Sequence, residues 1–351
     1  MFLMMARIRN MEDPIPNVHG GIYEDGPYKV EIVEISDVSS SSNCLSKDRA
    51  PDDNEILAPK PLLVALPKDE GEYPVVQFHH GFTLQNKFYS QLITHIASFG
   101  YIVVAPQMYT IAGSDATSEI KDAVEILNWM PTGLIAAMPE ALSKHRPNFK
   151  KVALIGHSRG GKVVFGLALG VRKSMHQYSA IIGLDPVDGM SIESQTKPPI
   201  LKFSEGALNL AVPTLIIGTG LGPMKRNFFF PPCAPDGVSH AAFYYDSAPP
   251  AFHFVASKHG HMDFLDDDCD GARGALSYCV CKNGPARTPM RRFSGGLVVA
   301  FLQAAFDQKT ASLEAALAHP ELAPIPLDIP ECKGTVIDAF KRQMLAPALT
   351  Q

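Results

Sequence analysis

Apolar and polar positions alternate along this chain with two periods, and Gly and Pro separate the segments. "YKVEIVEI" (28–35) and "KPLLVALP" (60–67) are β-branched and apolar and predict two strands, an antiparallel lead-in. The polar "SSSSNCLSKDRAPDDNE" between them (39–55) predicts a mobile loop. From Tyr73 the pattern becomes regular. "YPVVQFHHGF" reads as strand into loop, "KFYSQLITHIASFG" (87–100) as helix, "YIVVAPQ" (101–107) as a buried strand. "TSEIKDAVEILNWM" (117–130) places Ile120, Val124 and Leu127 on one helical face. There follow strand "KVALIG" (151–156), helix "GGKVVFGLALGV" (160–171), strands "SAIIGLD" (179–185), "VPTLIIGT" (212–219) and "FHFVAS" (252–257), and helix "FSGGLVVAFLQAAF" (293–306).

Such alternation predicts an α/β fold, a mostly parallel central sheet with helices on both faces. A chain of 351 residues could hold two domains. The pattern favours one, a main α/β domain over 58–310. The lead-in strand and polar loop occupy 1–57, and a proline-rich tail over 311–351 is expected to pack on the core.

Composition narrows the function classes. A chain 46% hydrophobic and 19% charged is globular, neither disordered nor fibrous. Its net charge of −5, with Lys and Arg scattered, offers nucleic acid no basic face. The run over 295–306 is too short to cross a bilayer, which takes about 20 apolar residues. The N-terminus starts apolar but meets Glu12 and Asp13, and neither a secretory signal nor a transit peptide is read there. The six cysteines predict no disulfide scaffold, only buried or incidental thiols and at most one local bridge from Cys269. Cys279 and Cys281 form C-x-C without a matching His pair, and "DDDCDG" lacks calcium-loop spacing, so no metal and no cofactor are expected.

The chemistry gathers at "VALIGHSRGGK" (152–162). Gly156-His157-Ser158-Arg159-Gly160 fits G-x-S-x-G with a strand before it and a helix after it, the context that turns a chance pentapeptide into a nucleophile elbow. The turn strains Ser158, so positions two residues away must be small, and it sets the hydroxyl at the positive end of the following helix. Serine alone is a weak nucleophile and needs a histidine and a carboxylate. His261 is favoured because it follows Gly260 in a loop after the last predicted strand of the sheet; His259 is the competitor. The strand ending in Gly218-Thr219-Gly220 supplies no acid, but one strand earlier Asp185 stands at a strand's carboxyl end before Pro186, where such sheets collect catalytic groups. Asp188 is the alternative, and a capping role for Asp185 is the plainer reading. The oxyanion donors are expected from the Arg159 amide and, beyond Gly81, the Phe82 amide. His79 and His80 are read as structural, since neighbours on an extended segment point opposite ways.

Six segments in order, "GHSRGGK", "LDPVDG", "GTGLGP", "FFPPCAPDGVSH", "GHMDFLDD" and "SYCVCKNGPARTPMRRFSGGLVVAFL", resemble plant and algal chlorophyllases over residues 61–306. The resemblance implies an α/β-hydrolase fold and a serine hydrolase that cleaves the phytyl ester of chlorophyll to chlorophyllide and phytol. Carried over by motif, the family's triad falls on Ser158, Asp185 and His261. It also implies chlorophyll as the small-molecule partner, a chloroplast location and peripheral membrane contact to reach the substrate; oligomeric state is left open. An apolar groove for the isoprenoid could draw on Phe228, Phe229 and Phe230, although aromatic runs more often belong to cores. A general lipid or polyester carboxylesterase and a non-catalytic pigment carrier are the rival readings.

Overall fold

A computed structural model describes residues 21–36, 57–109 and 113–341. The polar segment 39–55, the apolar N-terminal stretch and the last ten residues of the tail, 342–351, lie outside them. One nine-stranded sheet runs in the order β1-β2-β4-β3-β5-β6-β7-β8-β9. Its strands are β1 (Val30–Ile35), β2 (Leu62–Pro67), β3 (Glu72–His79), β4 (Ile102–Pro106), β5 (Arg146–His157), β6 (Ala180–Leu184), β7 (Thr214–Thr219), β8 (Ala251–Ala256) and β9 (Glu331–Lys333). The block from β4 through β8 is parallel, β1 and β2 add antiparallel strands at one edge, and β9 adds one at the other.

Strand periodicity sends alternate residues to opposite faces, and each face builds its own core. Leu63, Ala65, Val76 and Phe78 pack on one side against α1 (Ser90–Ala97) and α6 (Arg287–Asp307). Leu62, Val64, Leu66 and Val75 pack on the other against α2 (Thr117–Gly133), α3 (Arg159–Ala168) and α4 (His240–Asp246). Two covered faces are why the parallel strands read as nearly unbroken apolar runs. The α/β-hydrolase architecture expected from the sequence is the one observed.

Several elements depart from the predicted bounds. Helix α1 begins only at Ser90, after a 3-10 turn over Asn86–Tyr89. Strand β5 starts at Arg146, where polar residues pair with Glu72–Pro74 before a register shift. Helix α6 starts at Arg287, earlier than its apolar pattern, because Arg287 and Arg291 are buried with their guanidiniums donating to the Asp266 and Leu265 carbonyls. Helices α4 and α5 (Gly271–Cys279) and the three-residue β9 were not anticipated. The tail continues through α7 (Ala311–Ala318) to β9 and α8 (Val336–Lys341), whose Phe340 ring stacks on Phe252.

The cysteine expectation is corrected. Cys233 and Cys281, 48 residues apart, form a disulfide, whereas Cys269 is a free thiol. The partners come from two loops that meet only in the folded chain, so spacing could not reveal them. Among the described residues there is no cluster of metal-ligating groups, and no helix is long and apolar enough to cross a membrane.

Candidate active site

The turn from β5 into α3 sets the centre of the site. Ser158 has φ 54° and ψ −119°, a conformation that L-residues avoid and that sharp strand-to-helix elbows impose. Its amide donates to the Leu184 carbonyl at 2.9 Å, and its own carbonyl accepts from the Lys162 and Val187 amides. The glycines are steric necessities: a Cβ at Gly156 would strike the Gly160 carbonyl, and one at Gly160 the His79 carbonyl. Ser158 is buried but keeps 8% of its surface exposed.

His261 and Asp185 converge on this serine from two other loops. The His261 Nε2 lies 2.8 Å from Ser158 Oγ, and its Nδ1 lies 2.7 Å from Asp185 Oδ2. An ionised carboxylate can only accept, so Nδ1 carries the proton and Nε2 faces the hydroxyl as an acceptor. Asp185 is fully buried, in the left-handed region at φ 42°, with its amide held by the Ile217 carbonyl. Burial alone would push its carboxyl up. Hydrogen bonds from His261 and from Thr219, whose hydroxyl stands 2.6 Å away, more than offset this and leave it below the usual carboxylate range.

The two alternatives are occupied elsewhere. Asp188 makes a buried ion pair with Lys162 at 2.7 Å and accepts the Ile200 and Leu201 amides, which moors the loop after β6 to α3. His259 is 2% exposed, and its ring edge lies beside Gly284 rather than Ser158.

The loop after β3 closes over the elbow. A Cβ on Gly81 would meet His157 Nδ1 and Leu84 Cδ1 at 3.0 Å and Ser158 Cβ at 3.3 Å, so any larger residue there would have to push its neighbours aside. Among the described residues no backbone group accepts the Phe82 amide, and the Arg159 amide opens α3, where first-turn N–H groups lack helical partners. Both amides are therefore without a backbone acceptor on segments next to the serine. The Arg159 side chain ties the surrounding wall together. It pairs with buried Glu119, with Nε to Oε2 at 2.9 Å, donates to the Gly113 and Asp115 carbonyls, and sets its guanidinium 5.2 Å from the Phe82 ring centroid.

Several contacts around the site escaped the sequence. Tyr89 Oη accepts the Gly81 amide at 3.0 Å and lies 2.7 Å from His157 Nδ1, while His157 Nε2 lies 2.8 Å from the His261 carbonyl. Because that carbonyl can only accept, His157 is protonated at Nε2 and Tyr89 donates to Nδ1. One chain of hydrogen bonds thus links the Gly81 loop to the backbone of His261. The His157 ring also lies tilted against the His261 ring, with centroids 4.6 Å apart, and burial holds its pKa well below the ordinary value. Asp263 accepts the Gly260 and Gly284 amides at 2.7 Å each, which pins the turn carrying His261. The x position of G-x-S-x-G and the Asp of "GHMD" were the only visible signals.

His79 and His80 are both buried. His80 donates from Nδ1 to the Gly81 carbonyl at 2.8 Å and accepts the Met108 amide at Nε2. The phenylalanine expectation changes. Phe228 and Phe229 are 92% and 85% exposed, and Phe230 is half-buried. A side chain that walls an apolar groove loses most of its surface, and the first two have not.

Comparison with known proteins gives a consistent picture. The chlorophyllase family model matches residues 18–334. Chlorophyllase-2 of Arabidopsis thaliana is 48% identical over 80% of this chain and 87% of its own length. Chlorophyllase-1 of the same plant is 42% identical over 79% of this chain and 86% of its own. The protein named "Chlorophyllase-1, chloroplastic" from Citrus unshiu is 43% identical over 77% of this chain and 80% of its own.

Proposed function

The chain belongs to the chlorophyllase family, and from that premise we propose that it hydrolyses the phytyl ester of chlorophyll through a serine acyl-enzyme. The observation that carries this reading is the continuous Ser158–His261–Asp185 hydrogen-bond chain at a strained elbow. In the first half-reaction His261 Nε2 takes the Ser158 proton as Oγ attacks the ester carbonyl carbon. Asp185 holds the imidazolium formed, and the Phe82 and Arg159 amides receive the negative oxygen. Collapse of the tetrahedral species breaks the bond to the phytyl oxygen, which leaves as phytol with the proton from His261. Water, deprotonated by the same imidazole, then attacks the acyl carbon, and chlorophyllide departs as Ser158 regains its proton.

The protein-side requirements favour this use of the three groups. His261 needs Nδ1 protonated, which a buried carboxylate held below its usual range enforces. A chloroplast location accords with the naming of the Citrus relatives. The test is mass spectrometry of chlorophyllide after incubation of the purified protein with detergent-dispersed chlorophyll a, beside Ser158→Ala. Product from the wild type and none from the variant is expected; full activity in the variant would sink the mechanism. Turnover of p-nitrophenyl esters without chlorophyllide would instead favour a general carboxylesterase.

A further inference from the structure

The loop after β7 carries its apolar residues outward. Phe228 and Phe229 form an edge-to-face pair with ring centroids 6.0 Å apart and are otherwise almost bare. Two adjacent aromatic rings left in water at a cost of several exposed CH groups each call for a partner. The loop is not a slack excursion. Ala234 donates to the Gly222 carbonyl to close its base, Cys233 is bonded to Cys281, Lys225 bridges to Cys281, and the Phe229 amide is held by the Asn227 side chain at 2.9 Å. The rings are thus presented by a frame already ordered, so little conformational entropy is lost on binding.

Position and charge identify the partner. The base of this loop touches the active site, since a Cβ on Gly222 would lie 3.0 Å from Asp185 Oδ2. Other exposed apolar side chains stand on loops at the same carboxyl edge of the sheet: Phe82 after β3, Met190 and Ile192 after β6, and Met224 beside the tip. Between Gly220 and Pro235 the loop carries Lys225 and Arg226 and no acidic residue, in a chain of net charge −5. Aromatic rings with cations set just behind them are the chemistry of insertion into a lipid interface, where the rings reach the acyl boundary and the cations meet phosphate.

We infer that the Phe228–Phe229 tip, backed by Lys225 and Arg226, docks this rim on an anionic lipid bilayer, so that the mouth above Ser158 faces the membrane and takes its ester from the lipid phase. The choice of substrate source rests on the proposed chlorophyll hydrolysis, while the docking surface itself does not. An interfacial rim explains why the phenylalanines are exposed rather than folded into a groove. It also explains why the tip is stiffened by a disulfide while remaining outside the core.

Co-sedimentation with vesicles of phosphatidylcholine and phosphatidylglycerol tests the surface directly. The Phe228→Ser/Phe229→Ser variant, altered only at exposed positions, is expected to lose about tenfold or more in vesicle affinity. Its hydrolysis of p-nitrophenyl butyrate and of detergent-dispersed chlorophyll should be unchanged, while its rate on chlorophyll embedded in vesicles falls. Lys225→Glu/Arg226→Glu is expected to weaken binding to the anionic vesicles and, unlike the first variant, to behave as wild type on pure phosphatidylcholine. Wild-type affinity in the aromatic variant, or a wild-type protein that buries the tip in a dimer and ignores vesicles, would overturn the inference. Vesicle binding that depends on the tip in a protein that makes no chlorophyllide would defeat the functional proposal and leave the docking surface standing.

Discussion

Buried imidazoles make the fold sensitive to mild acid. Burial pushes His79 down to about 3 and His80 and His253 to about 4, and it holds His157 well below the ordinary value of 6.5. Below that value the unfolded chain binds a proton at each of these four positions while the folded chain does not. Stability is therefore fully present above pH 6.5 and is lost as the pH falls beneath it. One pH unit below the unfolded pKa, each such group costs about 1.4 kcal/mol, and four together cost about 5.6 kcal/mol, comparable to the whole stability of a small domain. Glu119, Asp263 and Asp266 act in the opposite sense, because burial raises their carboxyls and the folded chain retains protons that the unfolded chain releases. Urea unfolding followed by circular dichroism should thus show a loss of about 3 to 5 kcal/mol between about pH 7.5 and about pH 5.5, with about two to four protons taken up on unfolding. Replacing His253 by Gln should remove about one of those protons. A stability that stays flat across this window would refute the picture of dry, neutral imidazoles.

Three further outcomes are expected. Asp185→Asn should lower kcat about 10⁴-fold with little change in KM, since the amide favours the wrong His261 tautomer; stopped-assay kinetics on chlorophyll would show it, and a loss under tenfold would exclude the role. Tyr89→Phe should keep the fold but release the Gly81 amide and His157 Nδ1, which lowers kcat by about tenfold at constant KM; a change confined to KM would contradict a positioning role. Cys233→Ser should lower stability by about 4 kcal/mol for a closed loop of 48 residues, and dithiothreitol should shift the melting temperature of the wild type but not of the variant.

What the sequence made legible was whatever obeys a local rule. The parallel strands were readable because burial on both faces removes polar positions, and the elbow because its glycines answer a clash between neighbours in the chain. Asp185 and His261 were readable as strand-end residues in an order that one fold permits. The strands and helices that escaped have the opposite character. Strand β9 is three residues long, and α6 opens on buried arginines that donate to carbonyls 21 and 26 residues back in the chain. The Cys233–Cys281 pair likewise depends on where two loops cross.

The same division separates the proposed reacting groups from the residues that hold them in place. Ser158, His261 and Asp185 are chemically conspicuous, whereas Tyr89 looks like any core aromatic of an amphipathic segment. What sets it apart is one hydroxyl placed between the Gly81 amide and His157, and through His157 to the carbonyl of His261. That chain joins three loops that share no sequence neighbourhood, so its members acquire meaning only once the sheet has set β3 beside β5. Phe228 and Phe229 make the complementary case. An apolar run in a sequence predicts burial, and only the fold can show that these rings point away from every core and toward whatever the rim meets. Aim and exposure are tertiary properties, and in this protein they decide how the elbow would meet a substrate that dissolves in lipid.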